Sequence, residues 1–98
     1  MYLKIHKTPL GQVTAICDAE LIGKVLSGGK IRLDLQSHAG FYSGQKISEE
    51  EAVRALSGAD NVNLVGKKSL AAAAKAGMDT SSAILISGVP HLQVYKLP

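Results

Sequence analysis

The sequence predicts an α+β fold, a single compact domain over residues 1–98 in which an N-terminal antiparallel β-hairpin joins a mixed sheet, with two to three short helices and a C-terminal strand–helix–strand unit. Three observations predict it. Apolar and polar residues alternate at period two on both sides of an early turn; Ser48 and Glu51 have capping-box spacing; and an alanine-rich run, Ser69 to Ala76, lies between two apolar stretches. Ninety-eight residues is close to the usual size of a chain built around one core.

Taken in order, Leu3 and Ile5 share one face of a first strand while Tyr2, Lys4 and His6 share the other. Thr8-Pro9-Leu10-Gly11 has turn chemistry, and Val13, Ala15 and Cys17 then line one face of a second strand. Asp18, with Glu20 in the first turn, is the expected cap of a short helix through Leu26, closed by Ser27-Gly28-Gly29. Lys30 to Gln36 reads as a half-buried strand with Ile31, Leu33 and Leu35 inward, expected to pair antiparallel with the hairpin. Ser37 to Lys46 is an expected flexible loop.

Ser48 opens a helix in which Ala52, Val53 and Leu56 form the apolar side and Gly58 follows. Asn61 to Val65 is a strand, and the alanine-rich helix after it ends at Gly77. The continuous apolar run Ala83 to Ile86 predicts a strand buried on both faces, and Leu92 to Tyr95 a last strand. This strand–helix–strand unit is expected to connect parallel strands if both lie in one sheet.

Composition restricts the functional classes. The apolar fraction is 46% and the charged fraction 19%, which allows a core and argues against disorder. The net charge of +3 lies wholly in residues 1–47, where six basic residues face three acids; residues 48–98 balance. That asymmetry is compatible with an anionic partner. One cysteine, Cys17, cannot form an internal disulfide and fits a reducing cytoplasm. Charges interrupt the N-terminus where a signal peptide needs an apolar stretch, and no apolar run approaches a membrane span. A soluble, cytoplasmic protein with no membrane partner is expected.

Chemistry concentrates in three glycine-framed segments. Gly88-Val89-Pro90-His91 presents a histidine beyond a strand's carboxyl end, as an acid/base group, an anion ligand, or simply a ring bonded to a backbone carbonyl. Pro90 fixes its own φ and extends Val89, while the isomer of the Val89–Pro90 bond stays open. Gly66-Lys67-Lys68 places two lysines at a helix N-terminus, where the dipole disfavours cations unless an anion lies between them or both chains extend into water. A P-loop is excluded, because Asn61 stands at its first glycine and Lys68 where Ser or Thr would hold magnesium. In Gly40-Phe41-Tyr42-Ser43-Gly44-Gln45-Lys46 two adjacent rings cannot easily share a core. One is expected to be available for stacking; otherwise Phe41 lids the core and Tyr42 lies on its rim.

The polar face Lys4, His6, Thr14, Arg32, Gln36 and His38 suits either solvent or RNA. No metal-ligand spacing, nucleophile elbow or cofactor motif is present, so no metal and no cofactor are expected.

Ile16-Cys17-Asp18, Phe41-Tyr42-Ser43-Gly44, Asn63-Leu64-Val65-Gly66 and Gly88-Val89-Pro90-His91 with Gln93 together resemble an archaeal conserved family known as domain of unknown function 424. The resemblance covers nearly the whole length. Two positions depart from the family pattern, which has glycine in place of Ser43 and an acid in place of Lys67. The second departure weakens Lys67 as a family anion ligand. The resemblance implies an archaeal cytoplasmic protein and, by association, one tied to translation or RNA handling; it supplies no reaction.

The leading expectation is a non-enzymatic binding module for RNA or a ribonucleoprotein partner. Phe41, Tyr42, Gly44, Lys46, Gly66, Lys67, Lys68, Gly88, Pro90 and His91 form its expected contact surface. Two alternatives stand beside it: a small-molecule or anion-binding enzyme with His91 as acid/base, and a structural subunit or homodimer anchored by the Phe41–Tyr42 loop.

Overall fold

In a computed structural model, which describes residues 1–9 and 11–95, two hydrophobic layers lie on opposite faces of one sheet. The expected hairpin is β1 (Tyr2–Thr8) and β2 (Gly11–Cys17), in register from Tyr2 opposite Cys17 to Thr8 opposite Gly11. Of the turn between them, Leu10 lies outside the described residues. Four more strands complete the sheet: β5 (Gln45–Lys46), β6 (Asn61–Val65), β7 (Ile84–Ile86) and β8 (Val89–Val94), in the order β5-β1-β2-β6-β8-β7. A separate two-stranded hairpin, β3 (Val25–Gly28) with β4 (Ile31–Asp34), packs beside it. The helices are α1 (Ala39–Tyr42), α2 (Glu49–Leu56) and α3 (Lys67–Lys75). The chain is α+β with a mixed sheet, since β2 and β6 run parallel while the other neighbouring pairs run antiparallel.

Alternation along the central strands assigns the two layers. Ile16, Val62, Leu64 and Leu92 point to α2 and α3, packing with Ala52, Leu56, Leu70, Ala72 and Ala73. Ala15, Cys17 and Val65 point the other way, toward Leu21, Leu35 and Tyr42. Burying Ile16, Leu64 and Leu92 to 1% exposure or less contributes roughly 1.5–3 kcal/mol apiece. Because both faces are covered, Thr14 to Cys17 are all buried, where simple alternation predicts one wet side.

The capping box forms as its spacing requires: the Ser48 hydroxyl accepts from the Glu51 amide, and the Glu51 carboxylate accepts from the Ser48 amide, both at 3.1 Å. The carboxyl-terminal unit also takes the expected form in part. β7 is antiparallel to β8 and β8 to β6, so β7 runs in the direction of β6, with β8 inserted between them.

Three local expectations are corrected. The helix from Asp18 to Leu26 is a single 3₁₀ turn, Ala19–Leu21, because Gly23 at φ +91° turns the chain out of helical geometry and Val25 enters β3. The strand expected over Lys30 to Gln36 is shorter and pairs with β3 rather than with the first hairpin. Gly29, at φ +60°, closes a tight hairpin where a helix stop was expected, and Ile31 is 45% exposed rather than inward. The run Ala83 to Ile86, expected to be buried on both faces, is an edge strand; Ile86 is buried but Ile84 and Leu85 are exposed.

Candidate functional site

Strand register brings the polar residues of the second layer to one side of the sheet. Tyr2 lies opposite both Cys17 and Lys46, Cys17 opposite Val65, and Val65 opposite His91; one step along, Lys4 lies opposite Ala15, Ala15 opposite Asn63, and Asn63 opposite Gln93. Residues directly opposite point to the same face. Lys4, His6, Lys46, Asn63, Val65 and His91 therefore share it. Thr14, expected with Lys4 and His6, projects from the other face because it lies opposite Ile5 and Val62. Arg32, Gln36 and His38 belong to β4 and the turn after it, outside the six-stranded sheet.

Helix α1 lies over this face and sorts the two adjacent rings. Tyr42 enters the core at 3% exposure, and its hydroxyl donates to Asn63 Oδ1 at 2.6 Å. Phe41 stays half-buried and stacks on His6, with ring centroids 4.1 Å apart and planes 12° from parallel. Of the alternative in which Phe41 lids the core and Tyr42 lies on its rim, the first half is met, since Phe41 packs against the second layer from outside, and the second is corrected, since Tyr42 is inside it. His6 Nε2 bonds to the Phe41 carbonyl at 2.8 Å, and Lys4 Nζ donates to the Gly40 carbonyl at 2.7 Å, so β1 holds α1 by two successive carbonyls. Gly44 passes against β1; a Cβ there would overlap the Leu3 carbonyl. Lys46 is exposed on the sheet edge.

Asn63 is the polar hub of the layer. Its Oδ1 accepts from Tyr42, and its Nδ2 donates to the Tyr95 hydroxyl at 3.4 Å. Burial first, then the nearby Cys17 and Tyr95 groups, push the Tyr42 hydroxyl well above its ordinary ionisation, so it stays a proton donor. Burial likewise pushes the Cys17 thiol up to about 12, which leaves it an inert apolar filler. An open cleft of about 310 Å³ lies above the hub, lined by Leu33, His38, Phe41, Tyr42, Asn63 and Tyr95. A larger groove of about 610 Å³ lies between the β1–β2 hairpin and the end of α2; among its described lining residues the one charged group, Asp60, is acidic. The smaller cleft carries the ring faces and oriented polar atoms, and we place the candidate site there.

At the Gly66 turn the expected anion is present, and it belongs to the chain. Asp18, following β2, directs its carboxylate onto the N-terminus of α3. Oδ2 accepts from the Lys68 amide at 3.0 Å, and Oδ1 accepts from the Ser69 amide at 2.8 Å and the Ser69 hydroxyl at 2.7 Å. Lys67 and Lys68 extend outward, exposed. Together with Asp18, Glu20, Leu21 and Val89 they border a recess of about 230 Å³.

Gly88 sits in the tight turn Ser87–Gly88 between β7 and β8, and the Pro90 carbonyl accepts from the Gly66 amide at 2.9 Å. The Val89–Pro90 bond is trans. His91 is inside β8 rather than beyond a strand end; it is 8% exposed and bonds through Nδ1 to the Leu64 carbonyl at 2.9 Å, as the plainest of its expected roles required. A carbonyl can only accept, so Nδ1 carries the proton.

The expected site residues thus divide. Phe41 and Tyr42 line the cleft, and Lys46 projects from the same sheet face at its edge. Gly66, Lys67, Lys68, Gly88, Pro90 and His91 gather at the Gly66 and β7–β8 turns and do not line it. Asn63 and Tyr95 were missed as site residues, and His38, weighed as part of a polar sheet face, lines the cleft from the turn after β4 instead. For Asn63 a signal existed: a lone amide inside the buried strand Val62 to Val65 needs dedicated partners. Among the described residues no three of His, Cys, Asp or Glu gather closely enough to hold a metal, and no helix is long and apolar enough to cross a membrane.

A family model described as "Protein of unknown function (DUF424)" matches residues 5–97. No curated protein matches the chain. A solved structure described as an uncharacterized conserved protein from Methanopyrus kandleri is similar at a TM-score of 0.80 and 25% identity, over 99% of this chain and 94% of that one.

Proposed function

The chain belongs to the DUF424 family of proteins of unknown function, and within it we propose that this member is a non-enzymatic module that binds RNA or a ribonucleoprotein partner through the cleft between α1 and the second-layer face of the sheet. One observation carries the reading: the cleft presents two partly exposed rings, Phe41 and Tyr95, around an amide whose orientation the Tyr42 hydroxyl fixes. Ring faces stack on bases regardless of sequence, and an oriented amide adds hydrogen bonds at a base edge. Of the basic residues in the first half, Lys4 and Lys46 project from the same sheet face as Asn63, and Lys46 is exposed at the sheet edge. Such charge attracts a phosphate backbone.

The contacts expected at Lys67 and Lys68 become peripheral in this reading, because the helix N-terminus beside them is already satisfied by Asp18. His91 contributes by holding β8 to β6. The buried, unpaired Cys17 supports a reducing cytoplasmic setting, and the Methanopyrus relative supports an archaeal one.

Fluorescence anisotropy with a labelled single-stranded RNA at 50 and 200 mM salt tests the proposal. Micromolar binding that weakens several-fold at the higher salt is expected. Replacing Phe41 or Tyr95 by alanine should weaken it about tenfold, since one stacked base contributes roughly 1–3 kcal/mol. Absence of salt-sensitive binding overturns the proposal.

A further inference from the structure

The polar atoms facing the cleft have fixed hydrogen-bonding roles, and their count discriminates among bases. Asn63 Oδ1 is engaged by the Tyr42 hydroxyl, so the amide presents its Nδ2 side toward Tyr95. Nδ2 has two protons and uses one on the Tyr95 oxygen at 3.4 Å, which leaves one to donate. The Tyr95 hydroxyl accepts that bond and keeps its own proton for a ligand. Tyr95 is 50% exposed, so this proton reaches the open side. His38 bonds through Nδ1 to the Asp34 carbonyl at 3.0 Å; Nδ1 therefore carries its proton, and Nε2 of the neutral ring is an acceptor. The cleft thus offers two donors and one acceptor, between Phe41 on one wall and Leu33 on another.

Each pyrimidine carries the matching count on one edge. Uracil presents two carbonyl acceptors and one N–H donor, and cytosine presents a carbonyl and a ring nitrogen as acceptors with one amino donor. Guanine presents one acceptor and two donors on the same edge, and adenine lacks the second acceptor there. The volume agrees: about 310 Å³ is at the small end of ligand cavities, enough for a single ring and its sugar but not for an extended ligand. The geometry points to a pyrimidine-selective base subsite in this cleft, an inference that rests on the RNA-binding reading. Stacking alone is sequence-tolerant and can itself lean modestly to pyrimidine runs, so loss of the preference in a variant lacking one of these polar groups is what distinguishes the subsite.

Anisotropy with labelled twelve-residue oligouridine, oligocytidine and oligoadenosine, at 50 mM salt, tests it on the whole chain. Oligouridine or oligocytidine is expected to bind at least tenfold more tightly than oligoadenosine. His38→Phe retains a ring and removes the acceptor at an exposed position, so it should reduce that preference to under threefold with circular dichroism unchanged. Asn63→Asp exchanges the donor for an acceptor and should also abolish the preference; because this residue is buried, its folding is checked first and His38→Phe decides the matter if it fails. Equal or tighter binding of oligoadenosine overturns the pyrimidine assignment and leaves RNA binding standing. No binding of any of the three overturns both.

Discussion

At Gly66 two separate demands meet in one residue. Its φ of +111° is a conformation that side-chain-bearing residues resist, and a Cβ built on it would overlap the Asp18 carboxylate that caps α3. Gly58 isolates the first demand, because its φ is +78° and nothing lies within 4 Å of a Cβ there. Gly58→Ala should therefore lose about 1 kcal/mol, whereas Gly66→Ala should lose about 3 kcal/mol or more, read as the difference in urea-unfolding free energy. Equal losses at the two sites would mean that the carboxylate moves aside freely. The sequence showed a glycine and two lysines at a helix start and asked for an anion; it did not show that Asp18 supplies it. That pairing spans 51 residues to Ser69, and no local pattern encodes a contact of such range.

Elements were legible where local chemistry alone decides them. Alternation defined β1 and β2, the Ser48–Glu51 spacing defined the start of α2, and alanine content defined α3. Ser48→Ala should lower stability by about 1 kcal/mol, because it leaves the Glu51 amide without its side-chain acceptor. Thermal melts of the two proteins check this, and an unchanged midpoint would mean that water replaces the cap at no loss. Elements failed to be legible where tertiary packing decides them. Val25 and Leu26 follow an acid that resembles a cap, yet Gly23 diverts them into a strand whose pairing with β4 is completed by the Gly29 turn. The apolar run before Ser87 looked like a core strand, but its place at the sheet edge, set by β8 inserting beside β6, exposes Ile84 and Leu85. The candidate cleft was half legible for the same reason. Adjacent rings in a glycine-rich segment marked Phe41 and Tyr42, whereas Asn63 and Tyr95 join them only through strand register and distant hydrogen bonds.

For the molecule as a whole, covering both faces of the sheet makes alkaline pH the expected weakness. Burial raises Cys17 from 9.0 to about 12 and raises Tyr42 as well. In the unfolded chain both groups lose their protons at ordinary values, while the folded chain keeps them. The Cys17 contribution is full below about pH 9 and is lost as pH rises from there through its folded value near 12, and the raised Tyr42 hydroxyl acts in the same direction. Urea midpoints measured at pH 8, 9.5 and 11 should fall progressively, and Cys17→Ala should fall less steeply; parallel slopes would show that the thiol is not shielded. The long-range capping of α3 also has a bearing on how the protein is made. Asp18 leaves the ribosome about fifty residues ahead of the amides it must bind, and β2 likewise waits for its parallel neighbour β6. During synthesis the first half can close its two local hairpins, but the central sheet stays incomplete until β6, α3 and β8 have emerged, so the fold is sealed late rather than assembled piece by piece.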